Sequence, residues 1–187
     1  AFATLRERWL GLAAGRRLPR LRRRRRRAAG GDAAEPAIVL FEDTFTSWFE
    51  PENAIAARSV LAALGYAVVD AAPARGRPLC CGRTYLAAGM VAEARAELAR
   101  TVAHLAPQLA QGRRVVGLEP ACLLTFRDEL TALLPTGDRA GLEHRALALS
   151  ELVAAEGRAL PWRPVASVRA LLHTHCHEKA FGIDAAA

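Results

Sequence analysis

The four cysteines of this 187-residue chain fall in three short motifs that could carry metal or redox chemistry. Cys80 and Cys81 are adjacent, Cys122 follows a strand-like run, and Cys176 stands between two histidines. Each motif lies where an apolar run gives way to a turn or a helix, rather than inside the apolar stripe of a helix. Thiolates are the soft ligands that select iron–sulfur clusters and zinc, so this placement favours ligation over core packing.

The elements that must position these cysteines alternate between strands and helices. Short continuous apolar runs predict buried parallel strands over 37–42, 66–71, 114–118 and 168–173. Helical spacing predicts helices over 52–64, 85–111 with a break around Gly89, 123–134 and 142–155. The segment 43–50 is expected to be a loop. The alternation predicts an α/β fold, a three-layer sandwich with a mostly parallel sheet of about four strands and helices on both faces.

This fold predicts one site for the chemistry-bearing residues. Asp43, Cys122 and Cys176 each follow a predicted strand directly, and the Cys80–Cys81 pair lies on the loop after the second strand. In open parallel sheets, ligands bind beyond the carboxyl ends of the strands. We therefore expect these side chains to gather at one edge of the sheet.

Several chemistries remain open for such a site. Zinc takes tetrahedral ligands that are often spaced as C-x₂₋₄-C, and two adjacent cysteines suit a single tetrahedral ion badly. A cluster with several iron atoms can use neighbouring thiolates. The alternatives are a zinc site, a redox-active thiol pair, and cysteines that are merely small buried hydrophobic residues without a cofactor.

The positive charge of the chain is concentrated at its start. Residues 1–28 hold 11 of the 26 basic residues and one of the 19 acidic residues, a net charge of +10, whereas the remainder carries −3. We interpret residues 1–35 as a basic, flexible linker. The alternative is binding to nucleic acid or to an anionic membrane. The arginine run lacks interleaved aromatic residues, so no nucleic acid is expected, and peripheral membrane association stays open.

Composition excludes several protein classes. A hydrophobic content of 52% with 24% charged residues indicates a globular chain with enough apolar residues for a core. No apolar run reaches about 18 residues and no secretory signal is recognisable, so neither a membrane span nor secretion is expected. Four unevenly spaced cysteines do not resemble a disulfide scaffold, which favours the cytoplasm. No hydrolase or nucleotide-binding motif is present, and we expect a non-catalytic piece of a longer polypeptide.

Three motifs together resemble a known family. Residues 79–83 (LCCGR), 117–125 (GLEPACLLT) and 175–180 (HCHEKA) resemble the cysteine-rich CCG domain. This domain occurs in the glycolate oxidase iron–sulfur subunit, in lactate-utilisation proteins and in heterodisulfide reductase. Residues 40–52 look most like the version that is fused behind an FAD-linked oxidase and a ferredoxin-type module. The resemblance covers roughly residues 36–182.

The resemblance implies a domain organisation and a set of ligands. It implies a linker over 1–35, a first CCG half-domain over 36–167, and the start of a second, truncated half-domain over 168–187. Cys80, Cys81 and Cys122 would hold an iron–sulfur cluster of the 4Fe-4S type, and Cys176 would open the second half-domain.

Two departures from the family pattern leave this site with three cysteines. Asp43 and Thr44 stand where the first cysteine of the pattern belongs, and Thr125 stands where the closing cysteine belongs. A fourth ligand would then be Cys176, His175, Asp43 or an external group. Alternatively, this half-domain has lost its cluster and is structural.

The function that the resemblance implies is electron transfer within an oxidoreductase. The chain would be the iron–sulfur domain of an FAD-linked enzyme that oxidises a 2-hydroxy acid such as glycolate or D-lactate. FAD would lie on a domain outside this segment, and electrons would pass through a ferredoxin-type domain to this domain and on to an acceptor such as a quinone. The alternative is a cluster-free structural or docking domain of the same oxidoreductase, which would contact the FAD-linked dehydrogenase domain or subunit.

Overall fold

A computed structural model describes residues 2–13, 15–16, 21–22, 36–73, 76–157, 160, 163, 169 and 171–183. Within these residues the protein is an α/β sandwich built on one four-stranded parallel sheet. The strands are β1 (Ala37–Phe41), β2 (Ala67–Asp70), β3 (Val115–Gly117) and β4 (Ala146–Ala148). The helices are α1 (Phe2–Leu10), α2 (Thr44–Trp48), α3 (Pro51–Ala63), α4 (Arg83–Ala87), α5 (Val91–Ala110), α6 (Pro120–Arg127), α7 (Glu129–Leu133), α8 (Leu142–Arg145), α9 (Leu149–Glu156) and α10 (Cys176–Ala180).

The sheet is covered by helices on both faces. Every residue of the central strand β1 is buried, as expected for a parallel strand between two helical layers. Successive side chains of a strand point to opposite faces. Val39 and Phe41 therefore pack against α5, α6 and α7, whereas Ile38 and Leu40 pack against α3 and α9. The two hydrophobic clusters confirm the predicted three-layer sandwich.

The strand order β2-β1-β3-β4 places a switch point between β1 and β3. The connection that leaves β1 runs through α3 on one face, and the connection that leaves β3 runs through α6 on the other. The last residues of β1 and β3, Phe41 and Gly117, are register partners. Connections that leave these two strands on opposite faces open a crevice beyond their carboxyl ends, where ligands bind in such sheets.

The fourth strand lies elsewhere than the sequence predicts. The predicted helix over 142–155 is interrupted by β4, which pairs with β3 from Val115↔Ala146 to Gly117↔Ala148. Residues 146–148 consist of alanine and leucine, which favour helices, but the free edge of β3 offers backbone hydrogen bonds that override this preference. A strand of three residues is also too short to show a period of two.

The predicted strand over 168–173 is wrong for the residues that can be assessed. Residues 168 and 170 lie outside the described part of the chain. Arg169 and residues 171–173 are described and belong to no strand. Leu171 is 97% exposed, so the apolar run that suggested a buried strand does not enter the core.

Of the remaining elements, one predicted loop contains a short helix, and two helix boundaries lie where the sequence predicts them. The predicted loop 43–50 contains the short helix α2, which Asp43 caps. The long predicted helix breaks at Gly89 as expected, since a φ of +74° ends α4 before α5 begins. Pro51 occupies the first turn of α3, where its missing N–H leaves no hydrogen bond unmade. No helix in the described ranges has the length and apolarity needed to cross a bilayer.

Candidate functional site

The loop that carries Cys80 and Cys81 is held in place by helix α5. The hydroxyl of Thr101, which is fully buried, donates to the carbonyl oxygen of Cys80 at 2.9 Å. Arg100 donates to the carbonyl oxygens of Arg77 at 3.2 Å and Pro78 at 2.5 Å. These bonds satisfy loop carbonyls that no regular secondary structure serves. The loop position is therefore set by side chains of α5 as well as by its own sequence.

A buried carboxylate organises the same contacts. Glu97 is buried and forms ion pairs with Arg77 at 2.5 Å and with Arg100. The Glu97 carboxylate thereby joins the loop residue Arg77 to α5 and orients Arg100 toward the loop. Neither Glu97 nor Arg100 was selected from the sequence, because their spacing on α5 is that of any amphipathic helix.

Gly82 follows the cysteine pair and requires the glycine backbone. Its φ is +81°, in the left-handed region, and it precedes the first residue of α4. A Cβ atom at this position would lie 3.0 Å from the carbonyl oxygen of Ala94 in α5. The Gly82 N–H donates to the sulfur of Cys80 at 3.4 Å. The glycine of the CCG motif is therefore explained by local structure: it allows the tight turn in which its own N–H donates to the Cys80 sulfur.

Cys122 is presented by the first turn of α6. The chain leaves β3 at Gly117, and the carboxylate of Glu119 caps the helix by accepting a hydrogen bond from the Ala121 N–H at 3.1 Å. A Cβ atom on Gly117 would lie 2.9 Å from Leu123 Cδ1. The absence of that atom lets α6 fold closely onto the end of β3, which brings the half-buried Cys122 toward the cysteine pair.

Cys80, Cys81 and Cys122 form a continuous row of neighbouring thiols, which we call the thiol row. The pKa of Cys81 is raised to about 12, chiefly by the Cys122 thiol; the Cys80 thiol lowers it, and burial raises it by less than that. The Cys81 thiol and burial raise the pKa of Cys80, while the Gly82 amide lowers it. The raised pKa values of Cys80 and Cys81 favour their protonated forms, so a metal that binds these two thiols would have to displace their protons.

Helix α10 brings the fourth cysteine to the same end of the sheet. The His175 side chain caps this helix by accepting from the His177 N–H at 3.2 Å. His175 Nε2 lies 3.9 Å from Glu119 Oε1, and His177 Nε2 lies 3.3 Å from an Arg83 guanidinium nitrogen. These contacts dock α10 against α4 and α6. Burial and the Arg83 charge lower the pKa of His177.

Cys176 itself lies on the solvent side of this group. Its thiol is exposed and lies 4.0 Å from His175 Nδ1. Among the residues that the structure describes, no hydrogen bond joins the Cys176 thiol to the thiol row. The structure thus groups three of the four cysteines and leaves the fourth nearby.

Two further residues that the sequence analysis singled out are engaged elsewhere. Both carboxylate oxygens of Asp43 are occupied, since Oδ1 accepts from the Phe45 and Thr46 amides and Oδ2 accepts from the Thr46 hydroxyl. A ligand role for Asp43 would require these bonds to break. Thr125 is buried and donates to the Ala121 carbonyl at 2.8 Å, so it closes a helical turn.

A cavity of about 180 Å³ lies beside Cys80. The acidic side chains on its wall have partners: Glu42 pairs with Arg58 at 2.6 Å, and Glu97 and Asp43 are bound as described above. Its other lining residues include Trp48, Tyr85 and Arg77. The sequence analysis assigned none of these three to the site, because the long separations between them along the chain leave no motif.

The donor set consists mainly of thiols, which are soft ligands. Within the described residues, no group of three or more His, Cys, Asp or Glu side chains converges to hold one metal ion. In a cluster each thiolate binds its own iron atom, so its ligands lie farther apart than those of a single ion. Cys80, Cys81 and Cys122 are the residues of this site that could hold such a group.

Comparisons with known proteins gave no match. No protein-family model matches the chain, and searches of curated proteins and of solved structures found no similar protein. The family resemblance therefore depends on the sequence motifs alone, and the functional assignment belongs with the proposals below.

Proposed function

We propose that this chain is the iron–sulfur electron-transfer domain of an FAD-linked oxidoreductase that acts on a 2-hydroxy acid. The observation that carries the proposal is the thiol row at the carboxyl edge of the parallel sheet. Cys80 and Cys81 reach this edge from the loop after β2, and Cys122 reaches it from the turn after β3. Two separate parts of the chain thus deliver thiols to one place beside the switch point.

Each residue of the site has a distinct task under this proposal. Cys80, Cys81 and Cys122 are the cluster ligands, and the bound group would supply one-electron transfer. The Gly82 amide stabilises negative charge on the Cys80 sulfur through its hydrogen bond. Thr101 and Arg100 hold the loop so that the thiols keep their spacing.

The fourth ligand comes from the start of α10. Cys176 is the soft ligand of the pair His175 and Cys176, and its exposed position allows it to turn toward the row. The contacts His175–Glu119 and His177–Arg83 keep α10 beside α6. These contacts, which hold the helix near the ligand, support this assignment over an external group.

The wider setting follows from the resemblance. FAD lies on a domain outside this chain, glycolate or D-lactate is the substrate class, and a ferredoxin-type domain passes electrons to this domain. The cytoplasm is the proposed location, which agrees with free cysteines throughout.

A second candidate is a cluster-free docking domain of the same oxidoreductase. The observation that favours it is the burial of Cys81, which is 2% exposed and packs in the larger hydrophobic cluster. A protonated, buried thiol behaves as a small hydrophobic side chain. Under this alternative, substitution of Cys81 would change stability without changing any bound metal.

The amounts of iron and acid-labile sulfide per chain decide between the two candidates. The chain is reconstituted anaerobically beside the variant Cys80→Ser/Cys81→Ser, with circular dichroism to establish that both are folded. The proposal expects stoichiometric iron and sulfide in the parent chain and a loss of both in the variant. Equal, low metal in two folded proteins would support the docking domain instead.

A further inference from the structure

Arg83 connects the cysteine pair to helix α10. It is the first residue of α4, directly after Gly82, and its backbone N–H donates to the Cys81 thiol. Its guanidinium reaches in the other direction, where Nη2 lies 3.3 Å from His177 Nε2. Arginine carries only donors, so the ring nitrogen of His177 accepts this hydrogen bond. One residue therefore contacts both the thiol row and the helix that carries Cys176.

A further partner fixes the direction of the Arg83 side chain. Its Nη1 pairs with the carboxylate of Glu129, the first residue of α7. The two side chains are partly buried, at 34% and 27% exposure, so they hold their geometry better than a fully exposed pair does. A planar guanidinium can serve two partners through separate nitrogens. Glu129 thereby orients Arg83 so that Nη2 remains for His177.

The backbone around Cys176 transmits the position of His177. The His175 side chain accepts from the His177 N–H at 3.2 Å, and the Glu178 carboxylate accepts from the His175 N–H at 3.0 Å. These reciprocal hydrogen bonds form a capping box, which leaves the first turn of α10 little freedom. Cys176 lies inside this turn, so a contact that fixes His177 also fixes the direction from which the Cys176 thiol approaches the row.

The far end of α10 is held independently. Ile183 is buried in the larger hydrophobic cluster, and its N–H donates to the Glu178 carbonyl at 3.0 Å. At the start of the helix, His175 Nε2 lies 3.9 Å from Glu119 Oε1, which is too long for a hydrogen bond. Loss of the Arg83 contact should therefore leave α10 attached to the domain while its first turn moves away.

We propose that Arg83 is a positioning residue that holds Cys176 within reach of the thiol row through His177. Under the proposed function, on which this inference rests, Cys176 is the fourth ligand of a bound iron–sulfur group. Thr101 and Arg100 hold the loop of the cysteine pair on α5, whereas Arg83 sets the distance between that loop and α10.

The first test measures the proximity of two thiols in the metal-free chain. In the background Cys80→Ser/Cys81→Ser, only Cys122 and Cys176 remain of the four cysteines. Dibromobimane alkylates two thiols, each of which forms a C–S bond, displaces bromide and releases its proton. Mass spectrometry counts the chains in which one reagent bridges both cysteines. We expect bridging in this background, and an initial rate about fivefold lower after Arg83→Ala, because a charge-assisted hydrogen bond is lost.

Matched variants separate positioning from a general loss of stability. Arg114 has the same exposed fraction as Arg83, 34%, and also pairs with a carboxylate, but it lies at the opposite edge of the sheet, directly before β3. Arg114→Ala should leave the rate of bridging unchanged. His177→Gln keeps an acceptor for Arg83 and His177→Leu removes it, so only His177→Leu should lower the rate. Arg83→Ala/His177→Leu should bridge as slowly as either single variant, because both remove the same contact. Circular dichroism establishes that each variant is folded.

The second test uses the iron-loaded chain with all four cysteines. After reduction by dithionite, Arg83→Ala should give the altered electron paramagnetic resonance line shape of Cys176→Ser, and Arg114→Ala should keep the parent signal. Slower bridging of Arg83→Ala in a chain that binds no iron would contradict the proposed function but support the positioning role. No bridging in the background chain, an unchanged rate in Arg83→Ala, an equal loss in Arg114→Ala, or the parent line shape in Arg83→Ala would each overturn the positioning role.

Discussion

Gly117→Ala tests whether close packing of α6 on β3 places Cys122. The new Cβ would lie 2.9 Å from Leu123 Cδ1 and 3.1 Å from Leu123 Cβ. Carbon atoms in contact normally stand about 3.5–4.0 Å apart, so relief requires a shift of roughly 0.5–1 Å. Leu123 is buried and directly follows Cys122, which means that the shift moves the cysteine with it. Overpacking of this kind costs about 1–3 kcal/mol.

The assay is urea unfolding of the metal-free, reduced chain, followed by iron uptake of the same variants. Gly137→Ala is the matched control, because nothing lies within 4 Å of a Cβ there, and it should change the free energy of unfolding by less than about 0.5 kcal/mol. The double variant Gly117→Ala/Leu123→Ala should be about 0.5–3 kcal/mol more stable than the sum of the two single effects on the free energy of unfolding, because the Leu123 methyl that clashes with the new Cβ is absent. Parent-like stability and iron uptake of Gly117→Ala would refute the packing argument.

Gly82→Ala should lower the free energy of unfolding by about 2–3 kcal/mol and reduce iron uptake, because backbone strain adds to the close contact with α5. Gly89→Ala has a positive φ but open space around the new Cβ, so it should lower the free energy of unfolding by about 1–2 kcal/mol and leave iron uptake unchanged. Urea unfolding and iron analysis measure both effects. Thr101→Val should cost about 1–3 kcal/mol in the same unfolding assay, because the loop carbonyl it serves becomes unsatisfied. Thr125 is equally buried, but its hydroxyl bonds only within its own helix, so Thr125→Val should lower the free energy of unfolding by less than Thr101→Val. Equal losses of stability would contradict the role of Thr101 in positioning the loop. The raised pKa of Cys81 predicts that the metal-free chain is most stable below pH 9 and loses stability toward pH 12, since the unfolded thiol releases its proton first. Between ~pH 8 and ~pH 10 the free energy of unfolding should fall by about 1–2 kcal/mol for each thiol whose pKa is raised. Cys81→Ala should reduce this fall, and an unchanged fall would contradict the assignment.

The layered fold was predictable because its central strands are strongly apolar. The apolar runs around β1 and β3 can be buried along their whole length only between two layers of helices. The helix boundaries at Pro51 and Gly89 were predictable because proline and glycine restrict or relax the backbone itself. The fourth strand was not predictable, because Ala146–Ala148 takes its conformation from the free edge of β3 rather than from its own residues.

The candidate site divides in the same way. The convergence of Cys80, Cys81 and Cys122 followed from the rule that parallel strands end at one edge of the sheet. The residues that hold the cysteine loop could not be predicted in this way, because Thr101 and Arg100 bond to loop carbonyls more than twenty residues away in the sequence. A hydrogen bond of that kind leaves no periodic signal in the sequence.

The most direct test of the central claim is electron paramagnetic resonance of the anaerobically reconstituted chain after reduction by dithionite. The thiol-row assignment predicts a signal from about one reduced cluster per chain. It also predicts that this signal disappears in Cys81→Ser and changes its line shape in Cys176→Ser. A chain that holds iron yet gives no such signal, or gives the same signal in Cys81→Ser, would contradict the account.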